Sequence, residues 1–174
     1  MTIHSDHPFV PPEGDRDPLR RLRGRMPAPV TVWATGTGRS RAGLTISSVL
    51  VADGEPARVL GLVDADSSFW DEDPEAWVVN VLGAEHRFLA DAFAGTAPAP
   101  GGPFTLGSWS DSDWGPVLGA TAGWLGVRRA DVPPRQVGWG LLVEGTIEHV
   151  EVGDADAMVH LRGRYQEVRP SRLG

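Results

Sequence analysis

The sequence predicts a mainly β domain, a small closed barrel with one or two peripheral helices. Two observations carry this. Apolar segments of strand length recur from Val30 to Val152, and only Gly83–Gly95 keeps a helical period for several turns. A third observation fixes the centre of the chain. Val30–Leu50 reads as a strand, a glycine-rich turn and a second strand whose hydroxyls are in register. Side chains alternate along an extended segment, so Leu44 and Ile46 point one way and Thr45 and Ser47 the other, with Ser48 at the strand end. Hydroxyls beside free backbone N–H groups can hold a phosphate without a metal, although a solvated face has the same composition.

In chain order, Met1–Asp17 is rich in proline and charge without periodicity and is expected to be a flexible arm before a single domain over 18–174. Asp17 caps a short helix opened by Pro18, with Leu19 and Leu22 on one face and Gly24 and Pro27 closing it. Strands are predicted over Val30–Ala34, Gly43–Val51 and Arg58–Val63, the last a near-continuous apolar run. Ser67 and Ser68 stand where a short helix begins, as caps or as anion contacts. Ala76–Leu82 is an apolar strand with one amide, Asn80, which if buried must bond to backbone or to a ligand. The helix that follows places Phe88, Leu89, Ala92 and Phe93 on one face, and Gly95 caps it. From Thr96 to Pro116 runs a long loop whose Phe104, Trp109 and Trp114 predict a docked flap, with Asp111 and Asp113 facing solvent. Strands over Thr121–Val127 and Gly140–Val152 complete the wall, and the tail brings Arg162, Arg164 and Tyr165 together. Trp70 and Trp77 are assigned to core or interface.

Composition narrows the function. A chain of 174 residues holds one cored domain. It has no cysteine, hence no disulfide, thiolate metal site or cysteine nucleophile, and a reducing compartment, the cytoplasm, is expected. The N-terminus lacks the regions of a signal peptide, and no apolar run reaches membrane-helix length. A formal net charge of −7 argues against nucleic acid as a partner. Arg20, Arg21, Arg23 and Arg25 are the local exception and are read as solvating the short helix. All 16 basic residues are arginine, which excludes Schiff-base lysine chemistry and makes any anion clamp a guanidinium fork or a backbone nest. The histidines show no metal-ligand spacing, so no metal is expected.

The order of segments resembles the flavin reductase-like proteins of the FMN-binding split-barrel superfamily. The resemblance lies in Val30–Thr35, Gly43–Ser48, Val59–Ser68, Trp77–Leu82, Phe93–Gly95, Gly115–Leu118 with Trp124–Leu125, Val143–Ile147 and Arg162–Tyr165. It implies a six-stranded split barrel, a homodimer with one FMN per subunit near the dimer interface (FAD being possible), and reduction of the flavin by NADH or NADPH. By position, Thr45, Ser47 and Ser48 correspond to contacts with the ribityl chain and phosphate, and Ser67 and Ser68 to a second serine pair near the phosphate. Asn80 falls where a strand passes the isoalloxazine, and Arg162 and Tyr165 where the C-terminal segment approaches it. The implied function is an FMN-binding, NAD(P)H-dependent flavin reductase that can supply a partner monooxygenase.

Two departures from the family pattern stand out. Gly138-Trp139-Gly140 replaces a Gly-Asp-His segment, and Leu161 stands where histidine often precedes Arg-Gly-Arg-Tyr, with His160 one residue off and so on the opposite face. No catalytic acid or base is therefore assigned. The departures leave two alternatives: a split-barrel oxidoreductase using a deazaflavin or an organic substrate under Trp109, Trp114 and Trp139, or a non-catalytic flavin-binding protein.

Overall fold

The computed structural model describes residues 17–168, so the arm expected over 1–17 lies outside the described residues except for Asp17. Helix α1 (Pro18–Arg23) starts where predicted, its first turn capped by the Asp17 carboxylate, which accepts from the Leu19 N–H at 3.1 Å. Its expected apolar face is bare: no residue of α1 is buried, and Leu19 and Leu22 are exposed.

After β1 (Ala28–Pro29), strand β2 (Thr31–Thr35) is buried along both faces. The predicted strand over 43–51 is divided into β3 (Ala42–Ile46) and β4 (Val49–Ala52). The reason is a change of partner: β3 pairs with β2, whereas β4 pairs with β5 (Arg58–Val63), and Ser47–Ser48 is the corner between them. Helix α2 (Ser68–Asp71) leads to β6 (Ala76–Val81), and a 3₁₀ turn over Ala84–His86 precedes α3 (Arg87–Phe93). The flap contributes a hairpin of β7 (Trp109–Asp111) and β8 (Pro116–Leu118). Then come β9 (Gly123–Arg129), β10 (Arg135–Val137), the long β11 (Gly140–Val152), and a hairpin of β12 (Met158–Leu161) with β13 (Arg164–Glu167).

The main sheet runs β3-β2-β6-β9-β11-β5-β4. Because β3 and β4 are two halves of one bent ribbon, the order returns to its start and six strands enclose a barrel, split at the Ser47–Ser48 corner. Two layers of core follow from the alternation of side chains. Inside the barrel, Trp33 and Trp77 stack with ring centroids 5.4 Å apart, and Phe69 of α2 meets both edge-on at 6.1 and 6.2 Å. Val59, Val63, Val127 and Val143 complete that layer. Room for the indoles comes from Gly61 and Gly145: a Cβ on Gly61 would lie 2.6 Å from the Trp33 ring, and one on Gly145 would lie 2.8 Å from Trp77.

Outside the barrel, Val30, Val32 and Ala34 pack under Leu89, Ala90 and Phe93 of α3. Phe88, expected on that face, is exposed instead. The 3₁₀ turn shifts the start of the α-helix from Gly83 to Arg87, and its phase with it. Gly95 ends the helix at φ +72°, as a C-terminal cap requires.

Candidate functional site

The corner at Ser47–Ser48 opens on a groove of about 520 Å³ along the outer face of β4, β5 and β11. Its character follows from strand alternation. Val59, Gly61 and Val63 point into the barrel, so Leu60 and Leu62 of β5 point out, joined by Leu142 of β11 and Leu50 of β4. These leucines make an apolar floor. Met26–Pro29 form one wall, and the polar end is made by Ser47, Ser48 and Arg23 of α1, whose Nη2 donates to the Ser48 Oγ at 3.4 Å. An apolar floor ending in hydroxyls and a guanidinium suits an amphipathic ligand with an anionic terminus.

Of the residues singled out from sequence, Ser47 and Ser48 line this groove. Thr45 turns toward α3 and donates its hydroxyl to the Ala90 carbonyl at 2.7 Å. Ser67 caps α2: its Oγ accepts from the Trp70 N–H at 3.3 Å and donates to the Asp64 carbonyl at 2.6 Å. Ser68 is the first residue of that helix. Neither serine lines the groove.

Asn80 finds its partners in the backbone, the first of the two alternatives its burial left open. It is 0 % exposed, its Nδ2 donates to the Val32 and Pro116 carbonyls at 3.3 Å each, and its Oδ1 accepts from the Leu118 N–H at 2.8 Å. The amide is spent on tying β8 to β2 and β6, and no face of it is open to a ligand. The C-terminal pair diverges. Tyr165 packs against the α3 core and donates to Asp91 Oδ1 at 2.8 Å, and burial, reinforced by that carboxylate, pushes its phenol well above the usual tyrosine range. Arg162 sits exposed in the β12–β13 turn at φ +52°, where its N–H donates to the Gly24 carbonyl at 2.6 Å and so brings the turn against the end of α1.

The flap docks as expected, with its aromatics divided between two clusters. Phe104 and Trp109 pack on Phe93 at 4.9 and 5.7 Å. Trp114 stacks on His149 at 5.3 Å and donates its Nε1–H to Glu148 at 2.7 Å. Hydrogen bonds from Arg128 first, and from Trp114 second, hold the Glu148 carboxyl below the usual range. Trp139 is 97 % exposed at the β10–β11 turn. A ligand pocket under Trp109, Trp114 and Trp139 is thus not formed, because two are committed to internal packing and the third stands apart. Asp111 faces solvent as expected and also pairs with Arg41 at 2.7 Å. Trp77 is core, whereas Trp70 is half-buried beneath the Arg129 guanidinium, 5.1 Å from the ring centre.

Sequence reasoning missed Arg23 and the leucine floor. The arginine cluster was visible, but its pairing with Ser48 spans 25 positions and two elements. The leucines were read as ordinary strand core, since a continuous apolar run does not say which face is covered.

A model of the flavin reductase like domain matches residues 23–169. Among curated proteins, the FMN reductase (NADH) RutF of Serratia proteamaculans (strain 568) is 28 % identical over 100 residues, a match spanning 56 % of this chain and 57 % of that relative. Among solved structures, the NADH:FAD oxidoreductase SgcE6 of Streptomyces globisporus, in complex with NAD and FAD fragments, superposes with a TM-score of 0.79 at 22 % identity, over 94 % of this chain and 98 % of that one. BorF, the flavin reductase component of a bacterial two-component tryptophan halogenase, superposes at 0.75 with 21 % identity, over 87 % of this chain and 97 % of its own. These structural likenesses establish the fold.

Proposed function

This chain belongs to the flavin reductase-like family, and on that premise we propose that it is an FMN-binding oxidoreductase in which NADH or NADPH reduces the flavin. The observation that carries the reading is the groove, whose leucine floor ends in Ser47, Ser48 and Arg23. That donor set fits a flavin mononucleotide: the leucines take an apolar ring face, and hydroxyls with a guanidinium take a polyol and a phosphate. Bound flavin supplies the redox chemistry, accepting reducing equivalents from the nicotinamide nucleotide.

The chain's own contribution is placement. Leu60, Leu62 and Leu142 exclude water from the ring face, and Ser47 and Ser48 orient the tail. No Asp, Glu or His lines the groove among the described residues, so no protein acid or base is assigned. Gly140 and Leu161, which stand at the histidine positions of the family pattern, are consistent with that division of labour.

A homodimer forms part of the proposal. Leu50, 61 % exposed, carries the apolar surface past the half-buried leucines that take the flavin, and a second copy covers this outer part. The reduced flavin passes to a partner monooxygenase in the cytoplasm, a role supported by relatives such as BorF, itself one component of a two-component system. No helix among the described residues is long and apolar enough to cross a membrane.

The test is an absorbance spectrum of the purified protein after incubation with FMN and desalting, followed by anaerobic NADH or NADPH. Retained flavin that bleaches is the expected result. Protein that retains none and turns over none refutes the proposal.

A further inference from the structure

We propose that Arg23 is a phosphate-binding residue of the groove, clamping with Ser48 the phosphomonoester of the flavin and so selecting FMN over riboflavin. The inference rests on the reading of the groove as the flavin site. Its starting point is an imbalance of charge. A chain of net charge −7 places four of its sixteen arginines within residues 20–25, yet none of the four is ion-paired to a carboxylate among the described residues. Water and salt screen this exposed cluster, and an anion bound there would relieve the repulsion that remains.

Placement distinguishes Arg23 from its neighbours. Helix α1 buries nothing, so core packing does not fix it. It is held at its C-terminal end, where the Gly24 carbonyl accepts from the Arg162 N–H and the Arg23 guanidinium reaches Ser48. Arginines in a last helical turn complement the helix dipole, and Arg20 and Arg21 do this equally well. The dipole does not account for the reach of Arg23 to a strand corner in another part of the sequence.

The contact itself is incomplete. At 3.4 Å it lies at the long limit of a hydrogen bond and engages one of the five guanidinium donors. An anion entering between the two side chains would find the remaining donors of Arg23 and the hydroxyl of Ser48 directed to one place. No carboxylate lines the groove to compete for them. The turn bearing Arg162 abuts the same end of α1 through its backbone N–H.

The test measures FMN and riboflavin binding by quenching of flavin fluorescence, in wild type, Arg23→Gln, Arg23→Lys and Arg20→Gln. Arg23 is exposed, so neither substitution threatens the fold, and a thermal melt verifies this. The Kd for FMN is expected to rise about tenfold in Arg23→Gln, the loss of one charge-assisted pair at an exposed site, and less in Arg23→Lys. Riboflavin affinity is expected to stay within about twofold, and Arg20→Gln to match wild type for both ligands. The salt dependence of FMN binding should flatten in Arg23→Gln.

Equal weakening of both flavins would make Arg23 a wall of the groove and overturn the clamp. Unchanged FMN affinity would overturn it too, as would a raised nicotinamide-nucleotide KM with FMN binding intact, which assigns the guanidinium to the other nucleotide. Wild-type protein that binds neither flavin overturns the reductase reading and the Arg23 role together. Wild type that binds FMN, with Arg23→Gln unaffected, overturns the Arg23 role alone.

Discussion

Replacing Asn80 by alanine separates a structural amide from a ligand contact. In the folded protein its Nδ2 donates to two carbonyls, Val32 and Pro116, and its Oδ1 accepts from the Leu118 N–H, all at 0 % exposure. Alanine removes all three bonds and leaves the Leu118 N–H without its side-chain acceptor in a site closed to water, which costs about 1–3 kcal/mol. Loss of the bonds to the two carbonyls, at the longer distance of 3.3 Å each, and the space vacated by the amide add about 1 kcal/mol. The sum, about 2–4 kcal/mol, corresponds to a fall in Tm of about 2–4 °C per kcal/mol for a domain of this size. Thermal unfolding followed by circular dichroism reads the shift, and FMN titration well below the transition reads the site. The expected result is a Tm lowered by several degrees with FMN affinity nearly intact. An unchanged Tm with weakened FMN binding would refute the assignment of this amide to the backbone.

Three other perturbations test different parts of the account. Gly61→Ala forces a methyl to 2.6 Å from the Trp33 ring, which is itself stacked on Trp77 and cannot retreat freely, so overpacking of about 1–3 kcal/mol should lower Tm without changing the denaturant m-value. His86 is buried and its pKa is lowered chiefly by that burial, against opposing contributions from Glu85 and a hydrogen bond to the Gly119 backbone. The unfolded chain therefore takes up this proton first as pH falls, so the contribution of His86 to stability is full above the ordinary histidine value of 6.5 and is lost as pH drops through the depressed folded value. Tm measured from pH 7.5 to 5 should decline less steeply in His86→Gln; an equal slope would show that other groups set the acid sensitivity. Leu50→Arg puts a charge on the part of the leucine face left outside the flavin, and light scattering should then report half the mass of the dimer proposed for wild type; two species of equal mass would refute that face as the interface.

Much of the wall of the barrel was legible because burial on one or both faces leaves a period in the sequence. Arg58–Val63 shows this, and so does the alternation of Val143 and Ile147 with Glu144, Thr146 and Glu148. The helix over Gly83–Gly95 was legible for the same reason, though its first turn was not: a 3₁₀ turn and an α turn share composition, and the exposed Phe88 records the difference in phase. The candidate site was legible only in its local part. Ser47 and Ser48 could be found because they are adjacent in sequence and sit at the end of a patterned strand. Arg23 and Leu142 could not, since each reaches the groove through long-range pairing. Thr45 and Asn80 show the same limit. A hydroxyl or an amide in a strand announces that it needs a partner, and sequence does not say whether that partner is a ligand or a distant main-chain group.

Closing the barrel and opening the site come from one structural event. The ribbon Ala42–Ala52 must leave β2 and join β5, and a strand that changes partners gives up ladder bonds at the crossing. Here the crossing is only two residues long, and the Ser48 carbonyl is already taken by the Leu62 N–H at 3.1 Å, which anchors the corner to the floor of the groove. What the corner offers outward is therefore side-chain chemistry, two hydroxyls on a backbone fixed from behind, with Arg23 approaching from α1. Apolar residues at 47 and 48 could complete the same barrel, because its interior is filled by Trp33, Trp77 and Phe69 and does not use these side chains. The fold requires the bend, and the serines at the bend are then free to serve a ligand: substituting both by alanine should cost little stability while weakening FMN, the opposite of the outcome expected at Asn80.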